Sequence, residues 1–230
     1  MAAPKPPSTE IRADVWLDAR RALWLAAPRL LVLADLHWGY VSSHRARGNL
    51  LPAWGDEEIG ARLEALVADY RPAEMVWLGD SLHTLSGRHA AEAFIARAGA
   101  PVFVIAGNHD FRWKRAAQLH LTREGYFLHH GHKALPRPEG HVEVIGHYHP
   151  AVTWYDGAGG RLKIPALVEG EHRLILPAFS PWSAGTPWNT SLQPGERLWA
   201  VSPRRVFLTP AAPSPPAAEK KPGRVRRRRS

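Results

Sequence analysis

The sequence predicts one α/β domain whose first half alternates strands with helices and whose second half is mostly strand. Three observations lead there: short apolar runs separated by helix-forming stretches as far as residue 122, a change of texture after Gly125, and no internal repeat. Alternation of the first kind implies parallel pairing, because a parallel connection needs a crossover long enough to hold a helix. With 230 residues and 45% hydrophobic content, the chain is sized for one domain with a sizeable core.

Two short apolar segments, 14–17 and 22–25, precede Leu30–Leu33, which is apolar throughout and reads as a strand buried on both faces. A loop is expected over 38–55. A helix then begins near Asp56, where Ile59, Leu63, Leu66 and Val67 recur at helical spacing behind acidic first-turn residues, and Pro72 follows its end. Residues 75–78 read as a second buried strand, 90–98 as a helix, 102–105 as a third strand and 113–122 as a further helix. Strands are expected next at 126–128, 142–145, 162–168, 173–176, 198–201 and 206–208, with a hairpin turn at 157–160.

Charge is unevenly spread. Seven Lys or Arg and one Glu within 219–230 carry +6 of the net +9, so the rest of the chain is only mildly basic. A proline- and alanine-rich stretch over 210–218 joins that tail to the body. The folded domain is therefore expected to span 1–209, with 210–230 a disordered linker and basic tail that cannot bury enough apolar surface to fold. No run approaches the roughly 18 apolar residues that cross a bilayer, and residues 1–10 lack a basic segment followed by an apolar one. A soluble, cytoplasmic protein with no membrane partner is the expectation. The absence of cysteine excludes disulfides and thiolate metal sites, whereas 13 histidines leave imidazole and oxygen ligation open.

The apolar strands run directly into polar residues of one kind. Asp35 and His37 follow the first, Asp80 the second, and Asn108 and His109 the third. His129 and His130 close 126–128, and Gly146-His147-Tyr148-His149 closes 142–145. Carboxyl ends of parallel strands are where such folds place ligands. Asp, Asn and His together suit manganese, iron or zinc, while magnesium alone would prefer fewer histidines. A pair of cations roughly 3.5 to 4 Å apart needs a shared carboxylate and stabilises both oxygens of an in-line displacement at phosphorus. Asp80 is the natural bridge. Gly79, Gly107, Gly131 and Gly146 adjoin these positions where the chain must turn sharply. Any single Asp-Leu-His or lone His is usually a surface or capping feature; the ordered set, each member beside an apolar strand, is what points to metal. His129, His130 and His132 cannot be separated by spacing, although strand alternation turns His129 and His130 to opposite sides, so that at most one faces the site.

Asp35-Leu36-His37, Gly79-Asp80, Gly107-Asn108-His109-Asp110, His130-Gly131 and Gly146-His147-Tyr148-His149, in that order, resemble the motifs of the calcineurin-like metallophosphoesterase superfamily. Leu33-Ala34-Asp35-Leu36-His37-Trp38-Gly39, Arg47-Gly48-Asn49-Leu50-Leu51-Pro52, Gly79-Asp80-Ser81-Leu82-His83 and Leu176-Pro177-Ala178-Phe179 are similar to the branch related to the SbcD nuclease, and within it to ligase-associated DNA damage response endonucleases. The resemblance implies a four-layer αββα sandwich of two mixed sheets flanked by helices. It implies two divalent cations, manganese foremost with iron or zinc as alternatives, one held by Asp35, His37, Asp80 and His149 and the other by Asp80, Asn108, His130 and His147. It makes His109 the residue that protonates the leaving oxygen or stabilises the transition state, with Asp110 placed to orient that imidazole, and His83 a helper that positions phosphate or leaving group. Capping a helix is the alternative for His83.

Arg45 and Arg47 lie in the loop after the first motif, where a guanidinium could grip a phosphate, or simply be solvated. Trp38, Trp113, Trp154, Trp182 and Trp188 could stack on bases or pack. The expected activity is a two-metal phosphodiesterase or nuclease acting on DNA, with a DNA ligase and a helicase-like enzyme as repair partners by resemblance. The enzyme alternative hydrolyses cyclic nucleotides or nucleotides. A silent binding scaffold is a third reading, disfavoured because all seven ligand positions and His109 are filled.

Overall fold

The computed structural model describes residues 7–210 except 53, 111, 156, 157 and 159. The basic tail and part of the hairpin turn expected at 157–160 lie outside the described residues.

One sheet is built from β1 (Ser8–Arg12), β2 (Val15–Asp18), β3 (Ala22–Leu25), β4 (Leu30–Leu33), β5 (Glu74–Trp77) and β6 (Val102–Val104), neighbours in that order. β1 to β4 pair antiparallel; β4, β5 and β6 pair parallel, their crossovers carrying the helices α1 (Tyr40–Ala46), α2 (Gly55–Tyr70) and α3 (Arg88–Arg97). The second sheet holds β7 (His120–Arg123), β8 (Tyr126–His129), β9 (Val142–Ile145), β10 (Pro150–Tyr155), β11 (Arg161–Glu169), β12 (Arg173–Ile175), β13 (Thr186–Pro187), β14 (Arg197–Ser202) and β15 (Arg205–Leu208). Its order is β13-β10-β11-β12-β9-β8-β7, with β14 paired to β11 and β15 to β14; β8, β9 and β12 run parallel.

Side-chain alternation explains the layers. On β4, Leu30 and Val32 join Leu128, Val144 and Leu174 of the second sheet in a core between the sheets, while Leu31 and Leu33 join Ile59, Leu63 and Leu66 of α2 and Phe94 of α3 on the outer face. Both faces of the parallel strands are thus covered, which is why these strands read as unbroken apolar runs. The outer face of the second sheet, including Val152, Val168 and Ile175, is covered by Trp188 and Leu192 of a loop; among the described residues no helix packs there.

Several elements differ from expectation. Residues 113–122 are not a helix: the Ala106 amide bonds the Gln118 carbonyl, and His120–Arg123 pairs with β8 through a tight turn at Glu124 and Gly125, both at positive φ (44° and 81°). Cross-strand bonds and turn chemistry there outweigh the helix propensity of an Ala- and Arg-containing stretch. The expected loop 38–55 contains α1, whose start at Gly39 has no side-chain cap and no acidic first turn, so the usual start signals are missing. β1 and β10 lack the apolar runs that marked the other strands, the latter opening on Pro150.

A candidate metal centre at the strand ends

The two parallel sets of strands deliver their carboxyl ends to one place. Beyond β4 and β5 the ladder continues through Leu78 N–H to Leu33 O, Asp35 N–H to Gly79 O and His37 N–H to Asp80 O, so the loops carrying Asp35, His37 and Asp80 are locked side by side. From the other sheet, Gly146 N–H bonds His130 O, fixing the end of β8 to the end of β9. The backbone at these ends is unusual: Asp35, His37, Asp80, His147 and His149 all have φ between 46° and 68°, a left-handed region uncommon for non-glycine residues, although Asp and His enter it more readily than most.

Two trios of donors result. Asp35, His37 and His149 bring ligand atoms within 4.8 Å of one another, and so do Asp80, His130 and His147. The trios adjoin, because His130 lies 3.5 Å from Asp80 Oδ1 and 3.9 Å from Asp35 Oδ1. Asn108 Oδ1 is 3.2 Å from His130 Nε2.

The residues fit cations. Asp35 is fully buried; its Oδ2 accepts the His147 N–H at 2.9 Å, but Oδ1 completes no hydrogen bond and faces His149 Nε2 at 3.1 Å, itself without a partner, as is His37 Nδ1. Three buried polar atoms of one trio left unsatisfied would carry a heavy cost unless a positive ion completed them. His130 donates Nδ1–H to the Leu78 carbonyl at 2.7 Å, which leaves Nε2 facing Asp80 and Asn108, and Ser183 Oγ sits 2.9 Å from His149 Nδ1. Burial pushes the His37 imidazole down to about 4, reinforced by His149 and His109 against Asp35 and Asp80, so at neutral pH it is an uncharged donor. Burial alone would raise the Asp80 carboxyl; His130, the His109 amide and His37 together hold it below the usual carboxylate range. The site therefore keeps an ionised carboxylate where a cation is wanted.

Two glycines are explained by close approach. A Cβ on Gly107 would collide with the amide nitrogen and Oδ1 of Asp80, and one on Gly146 would stand 2.7 Å from Asp35 Oδ2. Gly107→Ala is expected to displace Asp80, to lose at least one cation and to cut turnover by more than about tenfold while the far-UV dichroism stays native. Metal content and dichroism measured on one sample check it; native metal content would show that Asp80 has room to move.

His109 reaches the same cleft. Its amide donates to Asp80 Oδ1 at 2.9 Å, its half-exposed ring has Nε2 4.0 Å from Asp80 Oδ2, and the ring stacks on His83 with centroids 5.4 Å apart. The His83 imidazole is lowered, by burial first and then by His109, His44 and Arg47. Arg45 instead donates to the Leu51 carbonyl at 3.0 Å and is committed to its own loop.

Asp110 requires a correction. Its carboxylate does not orient the His109 imidazole; it accepts the backbone N–H groups of Ser81 (3.2 Å), Leu82 (2.9 Å) and Gly107 (3.1 Å) and is buried. Burial raises this carboxyl and those amides oppose it. Asp110 thus clamps the Asp80 loop to the Asn108 loop, a positioning residue. Among the neighbouring histidines, His130 joins the second trio, His129 pairs with Glu143 on β9 at 2.9 Å, and His132 stays outside the trios with its ring 5.1 Å from that of His130. Trp38 and Trp113 are buried in the helix-side core and cannot stack on bases; Trp188 packs on the second sheet, and half-exposed Trp154 stacks on Phe207. Trp182 borders the cleft, and its rings stack with those of Tyr40 and Trp54. Tyr40, His44 and Ser183 were not singled out from sequence; the pointer to Ser183 was Leu176-Pro177-Ala178-Phe179, after which Phe179 and Ser180 bond Ala34 and Asp35 through the main chain.

The model of the family described as calcineurin-like phosphoesterase matches residues 28–170. Among solved structures, a Pseudomonas putida nuclease, MPE, is 27% identical and superposes with a TM-score of 0.67, covering 88% of this chain and 98% of that one. A Vps29 double mutant from Entamoeba histolytica aligns at 16% identity with a TM-score of 0.36, covering 78% of this chain and 96% of its own. No curated protein matches the chain.

Proposed function

The chain belongs to the calcineurin-like phosphoesterase family, and from that premise we propose that it is a nuclease that hydrolyses DNA phosphodiesters in a ligase-associated repair pathway of the cytoplasm. Membership and the nuclease neighbour make it a metal-dependent phosphoester hydrolase. The observation that carries the reading is the pair of adjoining donor trios, the first of which contributes His37 and His149 to a cleft also lined by His109 and His83.

Asp35, His37 and His149 would hold one cation and Asp80, His130 and His147, with Asn108, the other, with Asp80 proposed as the carboxylate shared between them. Cations held there would supply Lewis-acid charge for a phosphodiester; manganese suits this donor set, with iron or zinc as alternatives. The protein's own groups do the rest. His109 holds a proton at Nε2 for the leaving oxygen, and stacked His83 fixes the ring's plane and presents a second imidazole to the phosphate. Arg47 adds a guanidinium near His83. Asp110 and the Leu78 carbonyl keep Asp80 and His130 from drifting.

DNA is favoured as substrate by the 27% identical nuclease, by the aromatic ledge of Tyr40, Trp182 and Trp54 beside the cleft, and by the +6 charge of residues 219–230. Among the described residues no helix is long and apolar enough to cross a membrane. A DNA ligase and a helicase-like enzyme are the partners proposed, from the sequence resemblance. The test is one manganese-loaded preparation assayed on single-stranded DNA, duplex DNA, cyclic nucleotides and an aryl phosphodiester. Higher kcat/KM on a DNA form than on cyclic nucleotides is expected; the reverse order would replace the proposal with a small-molecule phosphodiesterase.

A further inference from the structure

Beside the metal cleft lies a second cavity of about 400 Å3, and the two share the wall formed by His149 and residues 183–185. Its charge is one-sided. Arg21, Arg161 and Lys163 line it, and among the described residues no carboxylate does. Arg161 and Lys163 are two apart on β11 and so project to the same face. Arg21 is tied to main-chain oxygen, donating to the Ser180 carbonyl at 2.7 Å and the Ala178 carbonyl at 3.4 Å, and Lys163 donates to the Gly185 carbonyl at 2.7 Å. Neutral carbonyls position these cations without cancelling them. Gly185 is itself fixed: it sits at φ 69°, a Cβ there would stand 2.6 Å from the Ala151 side chain, and the Thr186 amide bonds the His149 carbonyl at 2.7 Å. Lys163 therefore touches the loop that presents Ser183 to His149, and the cavity is built into the same frame as the first trio.

We propose that this cavity is a subsite for a phosphate flanking the scissile diester, one nucleotide along the strand, with Arg161 and Lys163 as its charged contacts. The inference rests on the nuclease reading. A strand that places one phosphate at the trios must carry its neighbours away along the surface, and the cationic cavity across the His149 wall receives the next negative charge. Such a contact favours polynucleotides over isolated diesters, because each added charge-assisted bond strengthens binding only where a second phosphate exists.

The test compares p-nitrophenyl diesters of thymidine 5′-phosphate and thymidine 3′-phosphate, each with and without a phosphate on the other hydroxyl. For one of the two pairs, the added phosphate is expected to raise kcat/KM of the manganese-loaded enzyme by about 10- to 100-fold, chiefly through KM. Arg161→Gln and Lys163→Gln should each pull that ratio toward one. Arg161 is exposed, so its variant folds, and it carries the test if Lys163→Gln disturbs the Gly185 loop. No gain in either pair overturns the subsite, and so do variants that slow both members of a pair equally, which is the mark of a merely structural role. A gain that persists in an enzyme unable to cut DNA would leave the subsite standing and sink the nuclease reading instead.

Discussion

Asp80→Asn is expected to release at least one cation and to lower phosphodiester hydrolysis by more than about 100-fold, beyond what loss of a mere supporting contact to a ligand costs. The substitution isolates charge. Asparagine tolerates the left-handed backbone at φ 46° as aspartate does, and its carbonyl can still accept the His109 amide that now bonds Oδ1 at 2.9 Å. What disappears is the negative charge that sits 3.5 Å from His130 Nε2. An amide cannot balance two cations, so the trio of Asp80, His130 and His147 should empty first. Metal analysis beside an activity assay decides it: two equivalents of metal with normal turnover would remove Asp80 from the bridging position.

His109→Ala is expected to keep both cations and to lose about 100- to 10,000-fold in turnover on substrates with poor leaving groups. The separation of roles follows from how the residue is used. Its main-chain N–H holds Asp80, and alanine retains that bond; its ring, half-exposed in the cleft and stacked on His83, belongs to neither trio. A leaving group acidic enough to depart unprotonated should be hydrolysed by the variant nearly as fast as by wild type. Equal losses on good and poor leaving groups would take the acid role from His109.

The parallel half of the fold was legible because its strands are buried on both faces. Leu30–Leu33 has no polar residue to spare, and such a run ends where the chain meets solvent or ligand, which put Asp35, Asp80 and Asn108 beside one another in advance. What was not legible depends on partners distant in sequence. Residues 113–122 have helix-forming composition, yet β8 and the turn at Glu124 make His120–Arg123 a strand. The carboxylate of Asp110 follows His109 directly, which suggested contact, but the tight loop turns it toward the amides of Ser81 and Leu82 and of Gly107 in its own loop. Trp38 follows a motif residue closely and is nevertheless core, because the ladder continuing past β4 carries it under α2. Ser183 and Tyr40 come to the cleft on segments whose own sequences carry no metal-binding pattern.

The most direct test of the account is cleavage of an end-labelled DNA oligonucleotide by protein stripped with a chelator and then titrated with manganese. Cleavage is expected to be absent in the stripped protein, to rise as metal is restored, and to level off as a second equivalent per chain is bound. Undiminished cleavage by metal-free protein, or no cleavage when two equivalents are bound, would contradict a metal-dependent DNA phosphodiesterase.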